Sequence, residues 1–509
     1  MKISIHICLW FQNFKSFCYL KDDLRDNFPS YGKPYHAIPG PRKSEMFISF
    51  LPGGRLHNKS LLEVYSQWRH DFGDIFRMPA LFGKRDIVIT FQPNDYQTVF
   101  RTEGSQPIRK GLDIVQYYRK VHRPEIFKHA AGLVAEQGDG WAHFRSTVNP
   151  VMMNPKTTKL YAPKMSKVAD AFLELIQQKR DPSTNEMSDN FESYVNYWAM
   201  DSVCLVALDT DLGMIRNSAA QPRAKAIIDG MREFFELLLE LDLKPSLWKY
   251  VATPDYRRVI RTFDEITDTT IYYIDEAIKR DAVNGSNVEE SVLQRLFNID
   301  RTVAIVMAMD LVMGGVDNST SALTSCLLSL AKNPEKQSLL RKEVHNNNIS
   351  EGNIQSSSYL RACIKEAFRM YPVSTGNFRT TGQNVVLSGY HVPKGVDIAM
   401  PGQLLQFDEK YYERPNEYLP ERWLRDGSHL DSTGCPLNRN VPFVYIPFGF
   451  GPRICIGKRF LALQLEITLT KLIQNFEIAF DYPTEGMFKT NIINVPAKPL
   501  RFKFTDVKE

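Results

Sequence analysis

The sequence predicts a mostly α-helical body with a smaller β portion built from both ends of the chain. Three observations carry this reading. Helix-period hydrophobic patterns dominate from about Pro93 to Lys332. Strand-like alternation is confined to short runs on either side of them. The longest uninterrupted helical pattern, Asp300 to Ala331, separates the two strand regions. Composition agrees, since 509 residues with 43% hydrophobic and 24% charged side chains make an ordinary globular chain. A disordered tail protein, a collagen-like fibre and a polytopic membrane protein are thereby excluded. The length would allow about three domains, although large enzymes often keep one continuous core. A formal charge of +5 is too mild to argue for nucleic acid, yet it is compatible with a local basic patch that meets an acidic protein.

From the N-terminus, Met1 to Leu20 holds no Asp or Glu and carries Lys2 and Lys15. The apolar run Ile7 to Phe11 is too short to span a bilayer, which takes about 20 residues, and no small-residue cleavage signal follows it. An acid-free, amphipathic, basic segment reads as a mitochondrial targeting sequence, although no Arg precedes Arg25. Residues 1–37 are expected to form that segment and 38–509 the folded domain, with Ile38-Pro39-Gly40-Pro41-Arg42 as the hinge between them.

Short strands are expected at Asp74 to Met78 and Asp86 to Phe91, around a turn at Gly83. The helical stretch then breaks near Gly138, Asn149-Pro150, Pro182 to Asn185, Pro245 and Asn284 to Ser286. Asp300 to Ala331 would run roughly 48 Å at about 1.5 Å per residue. The run Gly314-Gly315-Val316-Asp317-Asn318-Ser319-Thr320 stands in its middle. Adjacent glycines cost about 1 kcal/mol each in a helix interior, so the backbone there must approach something closely or the helix must open. Its most apolar stretch, Val303 to Met309, stops at Asp310, which argues against a membrane span. Strand patterns return at Val385 to Ile398 and Leu500 to Phe504.

Seven cysteines, at positions 8, 18, 204, 326, 363, 435 and 455, show no C-x-x-C pair and read as reduced thiols. Cys455 differs from the rest. It lies in Phe448-Gly449-Phe450-Gly451-Pro452-Arg453-Ile454-Cys455-Ile456-Gly457, a glycine-rich loop entering a helix near Lys458. A helix N-terminus and the neighbouring Arg453 both favour thiolate. Glycines keep bulk away from the sulfur, and haem iron accepts such a ligand.

This loop resembles the haem-ligand signature F-x-x-G-x-R-x-C-x-G of the cytochromes P450, with Phe448, Gly451, Arg453, Cys455 and Gly457 at its fixed positions. The resemblance extends over nearly the whole chain. Glu366-x-x-Arg369 is similar to the family's E-x-x-R motif and Pro420-Glu421-Arg422-Trp423 to its P-E-R-F/W segment. It implies a buried triad of Glu366, Arg369 and Arg422, and haem b between the long helix and the Cys455 loop. It also implies that Trp141 and Arg145, one helical turn apart, bind a haem propionate together with Arg453 and Arg379. Taken singly, these pairs are ordinary features of helix surfaces.

Leu360 to Arg369 looks like the mitochondrial branch, in which basic residues at the positions of Arg361 and Lys365 receive an acidic iron–sulfur ferredoxin. Lys458 and Arg459 would extend that surface. Glu136 to Tyr161 and Val385 to Lys394 look most like insect mitochondrial members. The segment Glu343 to Tyr359 is shorter and more polar than is usual in that branch. The branch implies a location on the matrix face of the inner membrane and leaves room for peripheral membrane association.

One departure bears on catalysis. The family usually has an acid followed by Thr in the long helix; here Asp317 is followed by Asn318, then Ser319. In the family that Thr helps to hold dioxygen and the water that delivers protons. A hydroxyl donates and accepts through one rotatable group, whereas an amide fixes its donor and acceptor on separate atoms. Either Asn318 takes over the role, or Ser319 or a substrate hydroxyl does. The pocket implied by the resemblance draws on Leu112 to Tyr118, Phe234 to Leu243, Met309 to Asp317, Val373 to Asn377 and Ile493 to Val495. Its apolar composition predicts a lipophilic, steroid-like or xenobiotic substrate.

The resulting expectation is a haem-thiolate monooxygenase that inserts one atom of O2, with electrons passing from NADPH through ferredoxin reductase and ferredoxin. Two alternatives stand beside it. One is a P450-type enzyme that rearranges a peroxide without external electrons, for which Asn318 argues. The other is a non-catalytic haem-binding protein, which would have no need of a basic electron-donor surface.

Overall fold

The short strand patterns from the two ends of the chain meet in one sheet. Strands β1 (Ile75–Met78), β2 (Ile87–Thr90), β3 (Asn377–Thr380) and β4 (Asp397–Met400) stand in the order β1-β2-β4-β3. The β2–β4 pair is parallel, with Val88 opposite Ile398 and Ile89 opposite Ala399; the outer pairs are antiparallel. Those side chains are fully buried and seed a core of their own with Trp68, Phe76 and Tyr96. A second antiparallel pair, β5 (Phe476–Ala479) with β6 (Lys503–Asp506), closes the C-terminus. The computed structural model describes residues 32–507 apart from 58, 81–84, 244–245, 285–289, 347–356, 425–440 and 491–492. Most of the expected targeting segment, the Gly83 turn, the Pro245 break, Cys8, Cys18, Cys435 and much of Glu343 to Tyr359 lie outside the described residues.

The helices that position the site are α1 (Pro93–Thr102), α2 (Gly138–Met152), α3 (Ala162–Lys179), α4 (Phe191–Ala207), α5 (Pro222–Leu238), α6 (Pro254–Asn284), α7 (Arg301–Ala331), α8 (Ser358–Met370) and α9 (Lys458–Asn475). Asp300 is the N-cap of α7, its carboxylate accepting the backbone N–H groups of Thr302 (2.6 Å) and Val303 (3.4 Å). From there α7 crosses the main core, with α4, α8 and α6 packed along it. Side chains such as Leu323, Leu327 and Leu328 are fully buried, and each such burial contributes about 1.5–3 kcal/mol. Among the described residues α7 is also the one helix long and apolar enough to cross a membrane, and it is spent on the core.

Two expectations need correction, and one left open between two alternatives is decided. Helix α2 does not break at Asn149-Pro150 but carries Pro150 inside it and ends at Met152. A proline this close to the C-terminus forfeits one backbone hydrogen bond where the helix is about to stop. Helix α7 stays α-helical through Gly314-Gly315 rather than opening there. Close approach accounts for Gly315, where a Cβ would come within 2.9 Å of Val203 on α4, whereas Gly314 has open space beside it. Finally, Ile38 to Arg42 is packed rather than hinge-like. Ile38 is buried, the Pro39 carbonyl accepts from Arg77 N–H (2.8 Å), and Lys33 already pairs with the 385–392 hairpin.

Candidate active site

Between α7 and the loop before α9 lies an internal cavity of about 510 Å³. The loop's shape comes from its backbone. Cys455 N–H donates to the Phe448 carbonyl (2.9 Å) and Ile454 N–H to that of Gly451 (3.0 Å). Gly451 holds φ +70°, a left-handed conformation that favours glycine. Cys455 presents an exposed side chain to the cavity, which Phe448, Arg453 and Gly457 also border. Burial pushes its thiol up, while the amides of Gly457 and Lys458 and the charges of Arg145 and Arg109 pull it down. The helix start therefore acts as expected. The helping charges, however, are Arg145 and Arg109 rather than Arg453, and in the free chain burial outweighs them.

Arg453 is committed elsewhere. Its guanidinium donates to the carbonyls of Pro107 (2.9 Å), Leu133 (3.1 Å) and Glu136 (2.9 Å) and stacks 4.0 Å above the Trp141 ring. Arg145 donates to the Ile454 carbonyl (2.9 Å), but its Nε is a buried donor with no acceptor. Arg379 pairs with Glu103. Arg109, which sequence reasoning missed, makes no side-chain hydrogen bond or ion pair with the described residues. Burial and the neighbouring Arg379 push its guanidinium down to about 10. Arg109, Arg145, Arg379 and Arg453, with Trp141, all border the cavity. Its cationic end thus retains hydrogen-bond donors with nothing to receive them.

On the opposite wall, Gly314, Asn318 and Ser319 border the cavity and Asp317 does not. Asn318 Nδ2 donates to the Gly314 carbonyl one turn back (2.6 Å), so its Oδ1 is left as an acceptor. Burial pushes the Asp317 carboxyl up to about 6; Arg232 on α5 pulls it down and Glu192 on α4 pushes it further up. The apolar walls include Leu112, Phe234, Leu238, Val373 and Ile493, as expected, together with Val203 and Val206 of α4, which were not.

Away from the cavity, Glu366 accepts from Arg369 Nε (3.0 Å) and Nη2 (2.9 Å) and from Arg422 Nε (2.9 Å), all with fully buried side chains. Trp423 Nε1 (2.9 Å) and Leu419 N–H (3.1 Å) complete the cage, additions that the motif alone did not reveal. Arg361 and Lys365 are exposed one turn apart on α8, and Lys458 and Arg459 are exposed at the start of α9, which packs against α8.

The sequence model of the cytochrome P450 family matches residues 38–504. The chain belongs to the cytochrome P450 family. It is 44% identical to cytochrome P450 CYP12A2 of Musca domestica over 93% of this chain and 91% of that one. It is 40% identical to cytochrome P450 12b1, mitochondrial, of Drosophila acanthoptera over 91% of this chain and 88% of that one. The solved structure of retinoic acid bound cyanobacterial CYP120A1 shares the fold, with a TM-score of 0.69 at 21% identity over 89% of this chain and 95% of that one. This P450 is accordingly a haem b monooxygenase. The residues present fit that group. A thiol opens into the cavity, and the orphaned Arg145 Nε and unpaired Arg109 border a space that the two carboxylates of a haem would fill.

Proposed function

We propose that this P450 oxidises a lipophilic small molecule in the mitochondrion, on the matrix face of the inner membrane, with electrons from NADPH delivered by ferredoxin reductase and ferredoxin. The observation that carries the reading is a single cavity with the Cys455 thiol, a four-arginine end and an apolar remainder. When bound there, haem supplies the reduction of dioxygen and the insertion of one oxygen atom into the substrate. Cys455 is the iron ligand, and its deprotonation is favoured by the Gly457 and Lys458 amides. Trp141, Arg109, Arg145 and Arg379 would hold the propionates, while Arg453 braces Trp141 and both ends of the 107–136 segment.

On the distal side, the apolar walls exclude water and orient the substrate. Asn318 Oδ1 accepts from a water or a substrate hydroxyl, and Ser319 borders the same space. Asp317, set behind that wall with its carboxyl near 6, changes protonation close to neutral pH and resupplies protons to it. Glu366, Arg369 and Arg422 lock the core beneath the Cys455 loop. Arg361, Lys365, Lys458 and Arg459 form the ferredoxin surface, a role supported by their exposure on two packed helices and by the mitochondrial names of the relatives. The targeting region, expected over residues 1–37, ends on this reading before Lys33, which pairs with the folded domain.

The test is to reduce the haem-loaded protein under CO with mitochondrial ferredoxin and its reductase, and in parallel with the microsomal diflavin reductase. The proposal expects a salt-sensitive rise of the red-shifted thiolate–CO band with ferredoxin alone. Reduction by the diflavin reductase alone overturns the partner assignment. Asn318 favours one second reading, rearrangement of a peroxide substrate. Product formed from such a substrate without NADPH would establish it.

A further inference from the structure

Among the described residues, Arg379 is the one arginine at the cationic end whose charge is met by a protein carboxylate. Its Nε pairs with Glu103, which follows directly on α1, while Nη1 and Nη2 donate to the carbonyls of Phe378 (2.9 Å) and Phe450 (3.1 Å). Of its five N–H donors, two are thus left for a group in the cavity. Both members of the ion pair are buried, Glu103 at 8% exposure and Arg379 at 3%. The second carboxylate oxygen, Oε1, is buried with no donor. It lies against the Cys455 loop so closely that a Cβ on Gly451 would collide with it. Glu103 therefore touches the arginine end on one side and the thiol loop on the other.

An orphaned carboxylate oxygen is an expensive way to hold an arginine. A glutamine of the same shape would accept from Arg379 without burying a charge. Burial does push the Glu103 carboxyl above its ordinary range, and Arg379 and Arg453 pull it back. Charge accounts for its presence. Four guanidiniums converge on this end against the two propionates of a haem, the Cys455 thiolate being matched by ferric iron, so Glu103 offsets part of a remaining cationic excess. A negative charge fixed beside the haem also opposes the arrival of a further electron, because burial leaves it little screened by solvent.

We propose that Glu103 is a positioning residue that holds Arg379 against the Cys455 loop and offsets part of the cationic excess there, keeping the bound haem harder to reduce. This rests on the reading that Cys455 carries the haem. The two can be told apart, because failure of that reading removes the thiolate–CO band from the wild type itself.

The experiment is a spectroelectrochemical titration of the haem-loaded wild type, Glu103→Gln and Arg379→Gln at one pH and ionic strength, with the thiolate–CO band checked in each. The expected result is a midpoint potential shifted positive in E103Q and negative in R379Q, with the band intact in both. A residue that merely packs the loop would not move the two in opposite directions. If E103Q does not retain haem, the contribution of Glu103 is read from R379Q against the double variant R379Q/E103Q, which should be the more positive. A midpoint unchanged or lowered on losing the Glu103 charge, in either comparison, overturns the proposal.

Discussion

The two walls of the cavity are built on opposite principles. The wall carrying Cys455 is crowded with charge, part of it paired and part left open to the cavity: Arg453 donates to three backbone carbonyls, Arg145 Nε has no acceptor, and behind the wall Glu366 gathers Arg369, Arg422 and Trp423. The wall formed by α7 is sparser, a regular helix that brings Asp310, Asn318 and Ser319 to the cavity among apolar side chains, with Asn318 held to its own backbone. A buried charge network tolerates little change, because removing one partner strands the other in low dielectric. A helical wall with open space beside Gly314 can exchange side chains at small cost. Invariant chemistry belongs on the first wall and variation in chemistry on the second.

The contrast can be broken most severely at its centre. Cys455→Ser should abolish both the thiolate–CO band and NADPH-dependent oxidation, while far-ultraviolet circular dichroism stays unchanged. Next in size is Glu366→Gln, which leaves two buried arginines sharing a neutral acceptor. A loss of about 3–5 kcal/mol is expected, seen as poor haem retention and a large fall in melting temperature; a fall of only a degree or two would show that the network is not what holds this wall.

On the α7 wall the effects should be smaller. The Asp317 carboxyl is raised from 3.8 to about 6, so burial favours its protonated form. Wild type should therefore lose stability relative to Asp317→Asn as pH rises through that interval, the gap staying constant above it. Thermal melts of the pair at both ends of the window check the sign. The mildest change is Asn318→Thr, which should leave stability within about 1 kcal/mol and lower the hydrogen peroxide released per NADPH consumed. Equal peroxide yields from the two proteins would remove Asn318 from the proton path.

Legibility in the sequence follows the same division. The Cys455 loop could be read because ten consecutive residues carry its chemistry, and α7 because its pattern is long and Asp300 caps it. Glu366 with Arg369 was legible only through the resemblance, since the same spacing is common on helix surfaces. Arg109 and Glu103 were not legible. Glu103 lies 276 positions from Arg379, and no local pattern marks such a pair. Arg453 was expected to support the thiolate and a propionate, but its guanidinium is taken up by backbone carbonyls, which have no signature in the sequence. Pro150 misled because the breaking power of proline depends on its distance from the helix end, which the sequence does not show.

The contact between Gly315 and Val203 has a consequence for how this enzyme can change. Because a methyl group at 315 would press on the Val203 side chain, the two positions are not independent in mutational space. Enlarging the first is viable only after the second has been shortened, and a valine at 203 closes that route while it remains. A library that varies α7 alone would score position 315 as intolerant, whereas one that varies α4 with it would find paired solutions and, with them, cavities of a different shape.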